Sequence, residues 1–133
     1  MRQSFPLAIA LLLAACSGTA PSTSTVLLSF APTSPPPRAG AMLALTLENR
    51  GASGVTYNLC ADASIERRMG NAWEPLPPQF TLCTLQLLQI ASGATVNEQY
   101  QLPAPLAAGR YRLVIEFGGS SAPIVSSVQF EVP

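Results

Sequence analysis

Between Gly109 and Gly118 hydrophobic side chains recur at every second position, with Tyr111, Leu113, Ile115 and Phe117 alternating with Arg110, Arg112, Val114 and Glu116. A backbone that sends successive side chains to opposite faces buries the first set and hydrates the second, so this segment predicts a half-buried strand. The same period of two recurs in Val26, Leu28 and Phe30, in Leu43, Leu45 and Leu47, in Val96, Glu98, Tyr100 and Leu102, and in Val128, Phe130 and Val132. Shorter segments fill the intervals: residues 55–59 after Gly54, residues 64–69 before a Gly70-Asn71 turn and Trp73, and residues 85–90 before Ser92-Gly93. No stretch sustains a period of 3.6, and the thirteen prolines disfavour helix throughout. Pro35-Pro36-Pro37 predicts a polyproline connection between the first two strands, and Pro103 and Pro105 break the chain before the long strand. The expected fold is all-β, a sandwich of about seven to nine antiparallel strands with turns every ~8–12 residues.

The amino terminus obeys a different rule. Arg2 precedes an apolar run over residues 5–15 that is too short to cross a bilayer and ends in the small residues of Leu13-Ala14-Ala15-Cys16, the layout of a secretory signal. That ending resembles the lipobox of bacterial lipoproteins. The resemblance implies a diacylglyceryl group on the Cys16 thiol, cleavage before it, and a chain held to a membrane by lipid. Residues 17–25 are small and polar and predict a flexible tether. Ser17 directly after the cysteine is similar to the pattern that sorts such proteins to the outer membrane of the cell envelope. The expected organisation is a signal peptide over residues 1–15, a lipidated cysteine and tether over 16–25, and one sandwich domain over 26–133. With Cys16 occupied, Cys60 and Cys83 remain as a pair in an oxidising compartment, and a disulfide closing such a loop removes about 3 kcal/mol of unfolded-chain freedom.

A second resemblance covers about residues 40–118. Leu102-Pro103-Ala104-Pro105-Leu106-Ala107-Ala108-Gly109-Arg110-Tyr111-Arg112-Leu113 is similar to the approach to the penultimate strand of bacterial immunoglobulin-like domains. The order of Leu47-Glu48-Asn49, a Tyr-Asn strand, Ile65-Glu66-Arg67, Trp73-Glu74-Pro75-Leu76 and Ile90-Ala91-Ser92-Gly93 agrees with it. The resemblance implies an immunoglobulin-like β-sandwich in which Tyr111 makes a tyrosine corner, its hydroxyl bonding backbone a few residues upstream. Cys60 and Cys83 do not occupy the strands that are bridged in antibody domains.

Charge and composition narrow the function. Seven arginines face seven acidic residues, with no lysine and no histidine, so neither nucleic acid nor an anionic membrane surface is expected as a partner. Ser126 and Ser127 have no histidine or lysine to activate them, Cys60 and Cys83 lack zinc spacing, and no glycine-rich phosphate loop opens a helix, so no metal or cofactor is expected. Asp62, Glu66 and Glu74 are the only clustered acids, and they read as solvated strand charges, some pairing with Arg67 or Arg68, rather than as a catalytic pair. Arg110 and Arg112 share a strand face with Glu116, where charge serves solubility. The best contact surface is Pro75-Leu76-Pro77-Pro78-Gln79-Phe80, a proline-stiffened segment offering Leu76 and Phe80 inside the Cys60 to Cys83 loop; alternatively Leu76, Phe80 and Trp73 cap one end of the core. The reading is a non-catalytic lipoprotein whose domain contacts another envelope protein. A proteinase inhibitor presenting the 60–83 loop is the alternative.

Overall fold

The computed structural model describes residues 25–80, 82–119 and 122–133. The signal segment 1–15, Cys16 and the tether as far as residue 24 lie outside the described residues. Alternation becomes strand nearly wherever it was expected: β1 (Val26–Phe30), β2 (Met42–Asn49), β3 (Val55–Tyr57), β4 (Ala63–Met69), β5 (Ala72–Pro75), β6 (Leu88–Ile90), β7 (Thr95–Gln101), β8 (Gly109–Phe117) and β9 (Ile124–Val132). A single short helix, α1 (Leu59–Asp62), separates β3 from β4. No helix among the described residues is long and apolar enough to cross a membrane.

The strands form sheets in the order β1-β2-β7, β5-β4-β8-β9 and β3-β6, and every pairing is antiparallel. With β1, β2 and β7 in one layer and β5, β4, β8 and β9 in the other, the chain has the strand order of an immunoglobulin-like sandwich, in which the first two strands and a later one face the third and the last two. The inward side chains are those of the alternating set: Leu43, Leu45 and Leu47 from β2 meet Leu113, Ile115 and Phe117 from β8, all fully buried. Aromatic contacts close the core at both ends, Tyr57 edge-on to Phe117 with centroids 5.6 Å apart, and Phe130 between Tyr111 at 5.8 Å and Phe30 at 6.1 Å. Ser126, buried on the inner face of β9, donates its hydroxyl to the Val26 carbonyl and links the layers along one side.

The expected strand over 55–59 stops at Tyr57 for a register reason. Thr56 lies opposite Gly118 and Ala63 opposite Ile115, so the chain advances seven residues while β8 retreats three. Four residues are surplus, and they are the four of α1, extruded from what is otherwise one strand along β8. Asn58 starts the extrusion as an N-cap, its side chain accepting from the Cys60 amide while its own amide donates to Asp62 Oδ2 at 2.7 Å. Gly118 permits the close approach on the other strand, since a Cβ there would stand 2.6 Å from Thr56 Oγ1. The expected strand over 85–90 shortens to β6, because Leu85 and Leu87 find no core to face and stand 98% and 64% exposed.

Candidate functional site

The Cys60–Cys83 disulfide joins α1 to the chain that returns toward β6, and Asn58 adds a second clamp by donating Nδ2 to the Thr84 carbonyl at 2.5 Å. At the other end of the loop the Leu76 amide donates to the Ile65 carbonyl at 2.8 Å, and the Leu76 side chain packs against the core. Between these anchors Pro77 and Pro78 stiffen the segment, and Pro75 does so just before it. Leu76 and Phe80, the two residues expected to make contact, therefore part company: Leu76 is half-buried and Phe80 is 41% exposed. Beyond Phe80, Leu82 is 91% exposed, which together with Leu85 and Leu87 makes a row of apolar side chains standing in solvent. Behind the loop lies a cavity of about 450 Å³ whose walls include Ile65, Leu76, Phe80, Tyr100 and the disulfide.

Tyr111 donates its hydroxyl to the Ala107 carbonyl at 2.7 Å, four residues upstream, which is the bond of a tyrosine corner. The three acids do not converge on one task. Asp62 caps α1, Glu66 pairs with Arg112 across β4 and β8, and Glu74 stands exposed on β5. The expectation that Arg67 or Arg68 would pair with these acids is corrected by their aromatic contacts: Arg67 lies over the Tyr111 ring at 5.9 Å and donates to the Ala108 carbonyl, and Arg68 lies over Trp73 at 5.3 Å. Arg112, an expected solubility charge, also lies over the Trp73 ring at 4.8 Å while holding Glu66. Trp73 is thus an outer-face residue gripped by two guanidinium groups, and it does not cap the core. Among the described residues no group of three or more histidine, cysteine or acidic side chains is placed to hold a metal ion.

Two polar arrangements escaped the sequence reading. Asn49, which reads as a turn residue ending β2, is fully buried; its Nδ2 donates to the carbonyls of Ser53, Ile90 and Ala91 while its Oδ1 accepts from the Gly51 amide. Glu98 accepts from the Tyr57 hydroxyl at 2.5 Å. Burial pushes the Tyr57 hydroxyl far above its ordinary range, and the Glu98 carboxylate adds to the shift. Burial also raises Tyr100. On the surface the Arg50 guanidinium bonds Glu48 and holds its carboxyl below the usual range. A polar residue inside an alternating run, such as Glu98 between Val96 and Tyr100, is the signal that marks such a partner.

The sequence matches no family model and no curated protein. Among solved structures it is similar to the ASH / PapD-like domain of human CEP192 (PapD-like domain 7), at 15% identity and a TM-score of 0.39, covering 96% of this chain and 94% of that one. A likeness that distant assigns no residue a role. The immunoglobulin-like sandwich rests on the strand order and register of the chain itself.

Proposed function

We propose that the chain is a non-catalytic, lipid-anchored binding module of the cell envelope, held at Cys16 and meeting a protein partner at the disulfide-tied loop. The observation that carries the reading is the row of Leu82, Leu85 and Leu87, each at least 64% exposed, on either side of the Cys83 tie and leading into β6. Three neighbouring leucines in water are worth covering, at about 25 cal/mol per Å² of apolar surface removed from solvent. The row runs into β6, which carries no strand on its far side among the described residues and so offers an edge for strand addition. The lipobox-like Leu13-Ala14-Ala15-Cys16 supports the anchor, and the lack of histidine and lysine supports a role without nucleophilic catalysis.

Crosslinking in the native cells followed by purification through a carboxyl-terminal tag tests both halves. A partner recovered with the native chain, lost with Leu85→Asp plus Leu87→Asp and reduced with Cys16→Ala, is the expected result. A partner retained by the double variant removes the row from the interface. Labelling with an acyl-chain analogue tests the anchor directly: incorporation at Cys16 is expected, and its absence in the native chain overturns the lipid reading. The proteinase-inhibitor reading draws on the same stiff, tied loop; a panel of periplasmic and secreted proteases uninhibited by micromolar chain disposes of it.

A further inference from the structure

We propose that the cavity behind the Cys60–Cys83 loop is a binding site for an uncharged, mainly apolar small molecule that carries one hydrogen-bond donor. The inference is separate from the leucine row, since Leu82, Leu85 and Leu87 are not among the residues that line the cavity. Its volume, about 450 Å³, lies within the ~300–1,000 Å³ of sites that enclose small ligands.

The chemistry of the walls selects the occupant. Ile65, Leu76, Phe80 and the disulfide supply apolar surface, and no aspartate, glutamate or arginine lines the cavity. A charged ligand would lose its hydration there with no opposite charge to meet, so the occupant is neutral. One polar requirement stands open. The side-chain oxygen of Gln79, a lining residue, is the only buried polar side-chain atom among the described residues without a hydrogen-bond partner. Leaving such an acceptor unsatisfied costs about 1–3 kcal/mol, which a donor on the occupant recovers after a small turn of the amide. Tyr100 adds a buried wall, and that burial raises its hydroxyl. The walls are also held in place, by the disulfide, by prolines 75, 77 and 78 on one side and by Pro103 on the other, so the site is formed before a ligand arrives.

The test is photolabelling of the full chain in its membrane with a diazirine-bearing medium-chain alcohol, followed by mapping of the adducts. Expected are saturable adducts concentrated in residues 61–65 and 76–80, competed by the unmodified alcohol. Ala61→Trp, which fills the mouth from the exposed face of α1, is expected to lower labelling at least tenfold. Gln79→Met, which removes the acceptor and keeps the volume, is expected to raise the half-saturating concentration about tenfold, the equivalent of about 1.4 kcal/mol, without lowering thermal stability. Leu85→Asp plus Leu87→Asp is expected to leave labelling unchanged, which separates this site from the docking row. Adducts spread evenly along the chain, adducts undiminished by Ala61→Trp, or an absence of saturable labelling would each overturn the proposal.

Discussion

The hairpin of β8 and β9 and the loop between Cys60 and Cys83 are built from similar amounts of apolar residue and use it in opposite ways. In the hairpin Tyr111, Leu113, Ile115 and Phe117 all face inward and are at most 1% exposed. In the loop Phe80 and Leu82, and just beyond Cys83 Leu85 and Leu87, stand exposed, and a covalent bond, a side-chain clamp and prolines hold the backbone that the core would otherwise hold. The difference teaches which apolar residues a fold consumes. Residues paired across a ladder are used for stability, whereas residues on a tied loop stay available for contact.

Damage to each region in turn separates their contributions to stability. Leu113→Ala empties a fully buried position in β8 and is expected to cost about 2–5 kcal/mol in urea unfolding. Cys83→Ser removes the bond that ties the loop, with an expected loss of about 3 kcal/mol and a larger gain in proteolysis within residues 76–87 than anywhere in β8. If both losses were confined to local opening of the loop, the hairpin would not be the seat of stability.

Alkaline titration reports on two buried tyrosines, Tyr57 in the core and Tyr100 on the cavity wall. Unfolded tyrosines lose their protons near pH 10, while burial holds Tyr57 and Tyr100 protonated in the native chain. Above pH 10 the unfolded state therefore binds fewer protons, and stability is expected to fall by up to about 1.4 kcal/mol per pH unit for each such group. Below pH 9 these two groups add no slope. Urea unfolding at pH 8, 10 and 11 checks the sign, and Tyr57→Phe is expected to flatten part of the decline. Smaller still is Tyr111→Phe, which deletes the bond to the Ala107 carbonyl for about 1 kcal/mol. Leu85→Ser is expected to stay within ~0.5 kcal/mol of the native stability, because nothing in the fold covers Leu85. A loss beyond 1 kcal/mol there would mean that the row supports the domain after all.

Much of the hairpin was legible in the sequence, because an inward set at every second position needs no knowledge of its neighbours. The corner made by Tyr111 was expected from the resemblance of residues 102–113 to immunoglobulin-like domains, not from the alternation itself. The loop was legible only as stiffness. Val55 to Leu59 continues to look like strand past the point where register forces four residues out, and only the opposing strand reveals the surplus. Nor could local pattern show that Arg112 would divide itself between Glu66 and Trp73, or that Asn49 would carry four bonds from inside the core. Glu66 and Trp73, and for Asn49 the carbonyls of Ile90 and Ala91, lie tens of residues away along the chain and meet their partners only through the fold.

The extrusion at α1 contains an even number of residues, and that parity keeps the strand it interrupts in phase. Removing Leu59, Cys60, Ala61 and Asp62 would join Asn58 to Ala63 with Tyr57 and Ile65 still pointing inward, whereas removing three or five would turn every later side chain of the strand inside out. Cys60, the disulfide and one wall of the cavity therefore sit on an insertion into a strand whose inward and outward faces stay in phase on either side of it.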